Sequence, residues 1–200
     1  MHWRAWLARR LGFEAAARAT YAAPPVLDDE ATAIGWRPLT AAAGGRSWAT
    51  VRDTLERAAA LCARNPLAAR LVSMTSDFVI GQGARLQGDA WALAFWAHPQ
   101  NCLEARLHRW CDELTRASEL FLVLSRHPVD GMSYIREVPA IQIDRIETDP
   151  EDAERERRYH QLTDALDGRW WLAPAHPEAE ASDQVMLHYA INRPAGCTRG

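Results

Sequence analysis

Apolar residues recur at helical spacing in three pieces from Trp48 to about Ala117, and from Glu119 onward they recur at strand spacing. This change of period constrains the fold more than any motif in the chain. Helices gathered in one half and strands in the other predict an α+β fold, with a helical amino-terminal half and a β-rich half containing an antiparallel hairpin. At 200 residues and 48% hydrophobic content, the chain is long enough to bury one sizeable core.

The helical pieces have legible boundaries. Asn65 reads as an N-cap with Pro66 at the first helical position, and Leu67, Leu71, Met74 and Phe78 read as a buried stripe behind it. Phe78, Val79 and Ile80 then read as a short strand ended by Gly81 and Gly83. Those glycines are followed by a turn rather than a helix, so they predict a structural corner and not a phosphate cradle. A helix from near Asp89 carries Trp91, Phe95 and Trp96 until His98-Pro99 breaks it. Asn101 and Glu104 have capping-box spacing, with Leu103, Leu107, Trp110 and Leu114 as the stripe of the next helix.

After Ser118 the run LFLVLS reads as a buried strand, HPVDG (127–131) as a hairpin loop, and Met132 to Val138 as the returning strand, with Pro139 at its edge. Ile141 to Ile146 reads as a third strand. Trp170-Trp171 puts one ring on each face of a strand, and His188 reads as a half-exposed sheet residue. Upstream, residues 1–47 divide into a short amphipathic helix with Trp3, Trp6 and Leu7 on one side and a Pro- and Gly-rich arm from residue 20 that carries Asp28, Asp29 and Glu30. Arg4, Arg9, Arg10, Glu14 and Arg18 interrupt every apolar run there, which argues against a secretory signal, and no window approaches a membrane span.

Charge and cysteine usage narrow the function classes. Acidic residues number 26 against 23 basic ones, every base is Arg, and the net charge is −3, so a static DNA-binding role that neutralises many phosphates loses ground. Cys62, Cys102, Cys111 and Cys197 have no paired spacing and read as reduced thiols of an intracellular protein. Two clusters could carry chemistry. His98, Cys102, His108 and Cys111 are zinc-ligand types, yet their spacing lacks a knuckle or a single-helix pair. The acids Glu147, Asp149, Glu151, Asp152, Glu154 and Glu156 could hold Mg²⁺, but Asp149 to Asp152 also suits the first turn of a helix, and Arg155, Arg157 and Arg158 stand ready to form a solvated, salt-bridged turn. No nucleophile elbow, His-Glu-x-x-His or P-loop motif is present. These residues therefore assign no catalytic, cofactor or metal position, and a Zn- or Mg-dependent nucleic-acid-processing enzyme stands as the alternative reading.

Taken in order, YAAPP with Gly35-Trp36, RNPLAARLV, DFVIGQG, FWAHPQN, SELFLVLS, VPAIQIDRIETDPED and HYAINRP resemble the amino-terminal, wing-region portion of tailed-bacteriophage portal proteins. The family has Gly-Glu where this chain has Ser118-Glu119. The resemblance implies a wing-like α+β domain over residues 48–200, cut before the stem and clip. It implies a homo-oligomeric ring, typically of twelve copies, at the portal vertex of the virion, assembled in the host cytoplasm. Double-stranded DNA would pass through the channel. Partners would be the terminase large subunit, capsid or scaffolding protein and a head–tail adaptor, with no membrane and no cofactor. Exposed members of the nine tryptophans are expected at its interfaces.

Overall fold

A computed structural model describes residues 47–163, 168–193 and 197–200; the expected amino-terminal helix and the arm up to residue 46 lie outside them. Among the described residues four helices come first: α1 (Trp48–Arg64), α2 (Pro66–Ile80), α3 (Ala90–Ala97) and α4 (Leu103–Ala117). Six strands follow: β1 (Glu119–Arg126), β2 (Ser133–Val138), β3 (Ile143–Asp149), β4 (Asp152–Gln161), β5 (Arg169–Leu172) and β6 (Gln184–Ala190). The fold is α+β, with two antiparallel three-stranded sheets ordered β2-β1-β6 and β3-β4-β5.

β1 explains the layering. Leu120 and Leu122 pack with Ile135 against Leu103 and Trp110 of α4, while Phe121 and Val123 on the opposite face pack with Met186 against Ile143, Tyr159 and Trp171 of the second sheet. A strand covered on both faces reads as a continuous apolar run, which is the LFLVL pattern. The result is three layers: helices, first sheet, second sheet. Trp171 turns into the inter-sheet core while Trp170 stays on the outside under the Arg158 guanidinium, 4.5 Å from its ring centre, as the alternation of a strand requires.

Several expectations are corrected. α2 continues through Phe78, Val79 and Ile80, because the Gly81 N–H closes the last turn on the Asp77 carbonyl at 3.0 Å. Its inner stripe is Ala68, Val72, Ser76 and Ile80, and Ser76 is buried with its hydroxyl bonded to Asp112 of α4. Small residues on that stripe let the two helices approach closely. Leu67, Leu71, Met74 and Phe78 consequently face outward, with Phe78 82% and Leu67 67% exposed. The Gly81 and Gly83 corner forms as expected, both glycines having positive φ (56° and 100°).

Asn101 does not cap α4. Cys102 takes that place in a left-handed conformation (φ 45°) without a side-chain cap, because the Asn101 side chain is buried and committed to β2. Its Nδ2 donates to Phe95 O and Ser133 O, and its Oδ1 accepts from the Ile135 N–H at 3.2 Å. Residues Ala140–Gln142 form a 3₁₀ turn closed by Gln142 N–H to Pro139 O, so the third strand begins at Ile143 and belongs to the second sheet. Asp149 to Asp152 is a hairpin turn, not a helix start; the Asp149 and Asp152 carboxylates accept from the Glu151 and Glu154 N–H groups and stabilise the turn.

Ser118 ends α4 at φ 61°, a conformation that favours glycine. Ser118→Gly is therefore expected to raise the unfolding free energy by about 0.5–1 kcal/mol, relief of left-handed strain outweighing the added freedom of the unfolded chain. Urea unfolding measures it; a decrease in midpoint would show that the serine side chain contributes more than the strain costs.

Candidate functional site

The inter-sheet core becomes polar at one end, where β1 starts and β6 finishes. Glu119, paired in register with Ala190, lies on the same face as Phe121 and His188, and Glu156 and Tyr159 approach from β4. Glu156 is the hub. One carboxylate oxygen accepts from His188 Nδ1 at 2.9 Å and Arg193 Nη1 at 2.8 Å, and the other from the Tyr159 hydroxyl at 2.6 Å. His188 is corrected from half-exposed to a core residue: its side chain is 1% exposed and its ring stacks on Phe121 at 4.3 Å.

Glu119 anchors a second branch. Arg199 Nη1 donates to its Oε2 at 2.8 Å, the Gly200 N–H donates to its Oε1 at 3.2 Å, and Arg199 Nη2 reaches the Ile143 carbonyl. The same guanidinium lies 5.3 Å from the centre of the Trp48 ring, so one side chain touches α1, β1 and the start of β3.

Burial and charge oppose each other at these groups. Burial pushes the Glu119 carboxyl above its usual range against the pull of Arg199, and burial lowers Arg199 against the pull of Glu119. For Glu156, burial also pushes upward, but the hydrogen bond and charge of His188, with Tyr159 and Arg193, outweigh it and hold the carboxyl below its usual range. Burial, then the Glu156 charge, drives the Tyr159 hydroxyl far above the ordinary phenol range. Tyr159 is thereby held as a hydrogen-bond donor.

Beside this network a cavity of about 450 Å³ is lined by Arg155, Glu156, Ala173, Leu187, His188 and Arg193, among others. Among the described residues His188 Nε2 and Arg193 Nη2 beside this cavity, and Trp110 Nε1 in the helical layer, are buried without a hydrogen-bond partner. Buried donors and acceptors are nearly always satisfied, so the two beside this cavity are the ones that a group entering it could meet.

The candidates singled out by residue type are largely kept apart. Cys102 and His108 line a cavity of about 690 Å³ with Gly81, Gln82, Gly83 and Trp96, whereas His98 and Cys111 do not line it. His98 instead accepts from the Gln100 N–H and packs on Tyr134. In the acidic run, Glu147 pairs with Arg158 at 2.5 Å and Asp149 with Arg157, while Glu156 points inward. Among the described residues no group of three or more His, Cys, Asp or Glu side chains is placed to hold a metal ion. Glu119, Arg193 and Arg199 carried no sequence signal as a set, since their partners lie tens of positions away; the shared parity of His188 with Met186 was the one available clue.

Neither protein-family models nor curated proteins give a match to this chain.

Proposed function

We propose that this chain is the amino-terminal, wing-region part of a tailed-bacteriophage portal subunit, a structural protein that closes into a ring around passing double-stranded DNA and performs no catalysis itself. The observation that carries the reading is the outward face of α2. Leu67, Leu71, Phe78 and Val79 are each more than half exposed, and Trp91 and Leu93 of α3 are about half exposed. Apolar surface of this kind is characteristic of chains that are covered in an assembly. The ordered run of portal-like segments and the near balance of charge support the same reading, because a conduit that gripped phosphates with many cations would hold DNA by counterion release. On this reading the ring meets the terminase large subunit, capsid or scaffolding protein and a head–tail adaptor.

Native mass spectrometry with elemental analysis and a nucleic-acid hydrolysis assay tests it. The expected result is a particle many times the mass of one chain, without turnover. A monomer with stoichiometric zinc or magnesium-dependent hydrolysis, lost on Cys111→Ala or on substitution within the acidic run, would replace it with the enzyme reading.

A further inference from the structure

We propose that the cavity beside Glu156 is a binding site for a small organic monocarboxylate, whose carboxylate accepts from His188 Nε2 and Arg193 Nη2 while its apolar body lies against Ala173, Pro174, Ala175 and Leu187. The inference goes beyond the ring reading and does not depend on it, because the cavity is lined by a single copy of the chain.

At this end of the inter-sheet core three cations, His188, Arg193 and Arg199, face two carboxylates, Glu119 and Glu156, so one positive charge is left over. All five side chains are largely withdrawn from water, from 1% exposed at His188 to 24% at Arg193. An uncompensated charge in such a place is costly unless a counter-ion joins it. The neighbouring carboxylates are otherwise engaged. Asp144, which also acts on Arg199, is held by His160 Nδ1 at 2.5 Å. Glu154 lines the cavity but is exposed, as is Arg155, which lines it too and opposes Glu154 in charge. Water screens both.

Two nitrogens are left for the counter-ion. Glu156 takes one nitrogen from each cation, His188 Nδ1 and Arg193 Nη1, on the same oxygen, and the Cys197 carbonyl takes Arg193 Nε. His188 Nε2 and Arg193 Nη2 remain, buried and without partners, on residues that line the cavity. The charged His188 ring, which together with its hydrogen bond holds Glu156 as a carboxylate, is a donor at both nitrogens, and a guanidinium only donates. Two donors that share one acceptor on one side ask for a second acceptor on the other.

The walls and the volume select the ligand. About 450 Å³ falls in the range of small-molecule sites, which are mostly apolar with a few convergent polar groups. A dianion such as phosphate would overshoot the single charge to be balanced, and it offers no apolar surface to Ala173, Pro174, Ala175 and Leu187. A carboxylate on a small aliphatic or aromatic body satisfies both ends.

Calorimetric titration of the wild-type protein with benzoate and butyrate, each against its amide and against inorganic phosphate, tests the inference, with nitrogen NMR of the histidine rings alongside. The expected results are saturable binding of at least one carboxylate, about tenfold or more tighter than its amide and than phosphate, and a shift of the His188 Nε2 signal with both ring nitrogens protonated in the complex. Ala175→Trp, at an exposed lining position, is expected to weaken that binding by about tenfold at an unchanged unfolding midpoint. If that variant fails to fold, the wild-type titration and the ring-nitrogen signals decide. No saturable binding of either carboxylate below about 10 mM, an amide or phosphate bound as tightly, His188 Nε2 without a proton in the complex, or binding indifferent to a folded Ala175→Trp each overturns the inference. Isolated subunits that bind benzoate would retain the inference and sink the ring, whereas closed rings indifferent to carboxylates would do the reverse.

Discussion

Replacing Arg199 with alanine is expected to lower the unfolding free energy by about 3–5 kcal/mol at neutral pH, because it leaves a buried carboxylate without its cation. The side chains of Arg199 and Glu119 are 11% and 2% exposed, and the guanidinium also serves the Ile143 carbonyl and the Trp48 ring. Replacing both partners, Glu119→Leu with Arg199→Met, is expected to cost far less than the single change, since a buried pair contributes little over apolar residues that fill its space. The pH dependence has a definite sign. Burial already raises the Glu119 carboxyl, and removing Arg199 raises it further, so the variant loses stability as pH rises from the ordinary glutamic range of about 4.3 through the folded value. Its deficit against wild type should therefore be smallest in mild acid and largest near neutrality. Urea unfolding across pH checks this; an equal deficit at every pH would mean that packing, not charge, accounts for the loss.

Phe121→Ala is expected to cost about 3–5 kcal/mol. The ring is wholly buried at the centre of the inter-sheet core, stacked on His188 at 4.3 Å and edge-on to Tyr159 at 5.8 Å. Its loss opens a cavity beneath the Glu156 network as well as removing apolar burial, so the near-ultraviolet signal of Tyr159 and Trp171 should weaken along with the unfolding midpoint. A cost below about 1 kcal/mol would contradict the placement of this ring in the core, since partial relaxation rarely recovers so much.

How far the sequence could be read depended on the range of the interactions. β1, its hairpin and the stripe of α4 were legible because burial on one or both faces writes itself into local periodicity. Leu67, Leu71, Met74 and Phe78 had a helical period too, but period alone does not say which stripe is inward; the smaller Ala68, Val72, Ser76 and Ile80 set meets α4 instead. Asn101 had the right spacing for a cap, and the tertiary demand of β2 for a donor and an acceptor took precedence. The polar network was beyond local reading. Glu119 and Arg199 are 80 positions apart and Glu156 and Arg193 are 37, and no local spacing rule relates residues at such separations. The unsatisfied atoms of His188 and Arg193 follow from that network and were equally invisible.

On the proposed reading this polypeptide contributes a wall segment to a ring, and its exposed apolar helix face is covered by neighbours. Single-particle electron microscopy of the protein expressed from its natural reading frame tests that claim most directly. The account predicts closed rings with a central channel wide enough for duplex DNA. A population of isolated subunits, with the outer face of α2 still open to solvent at high protein concentration, would contradict it.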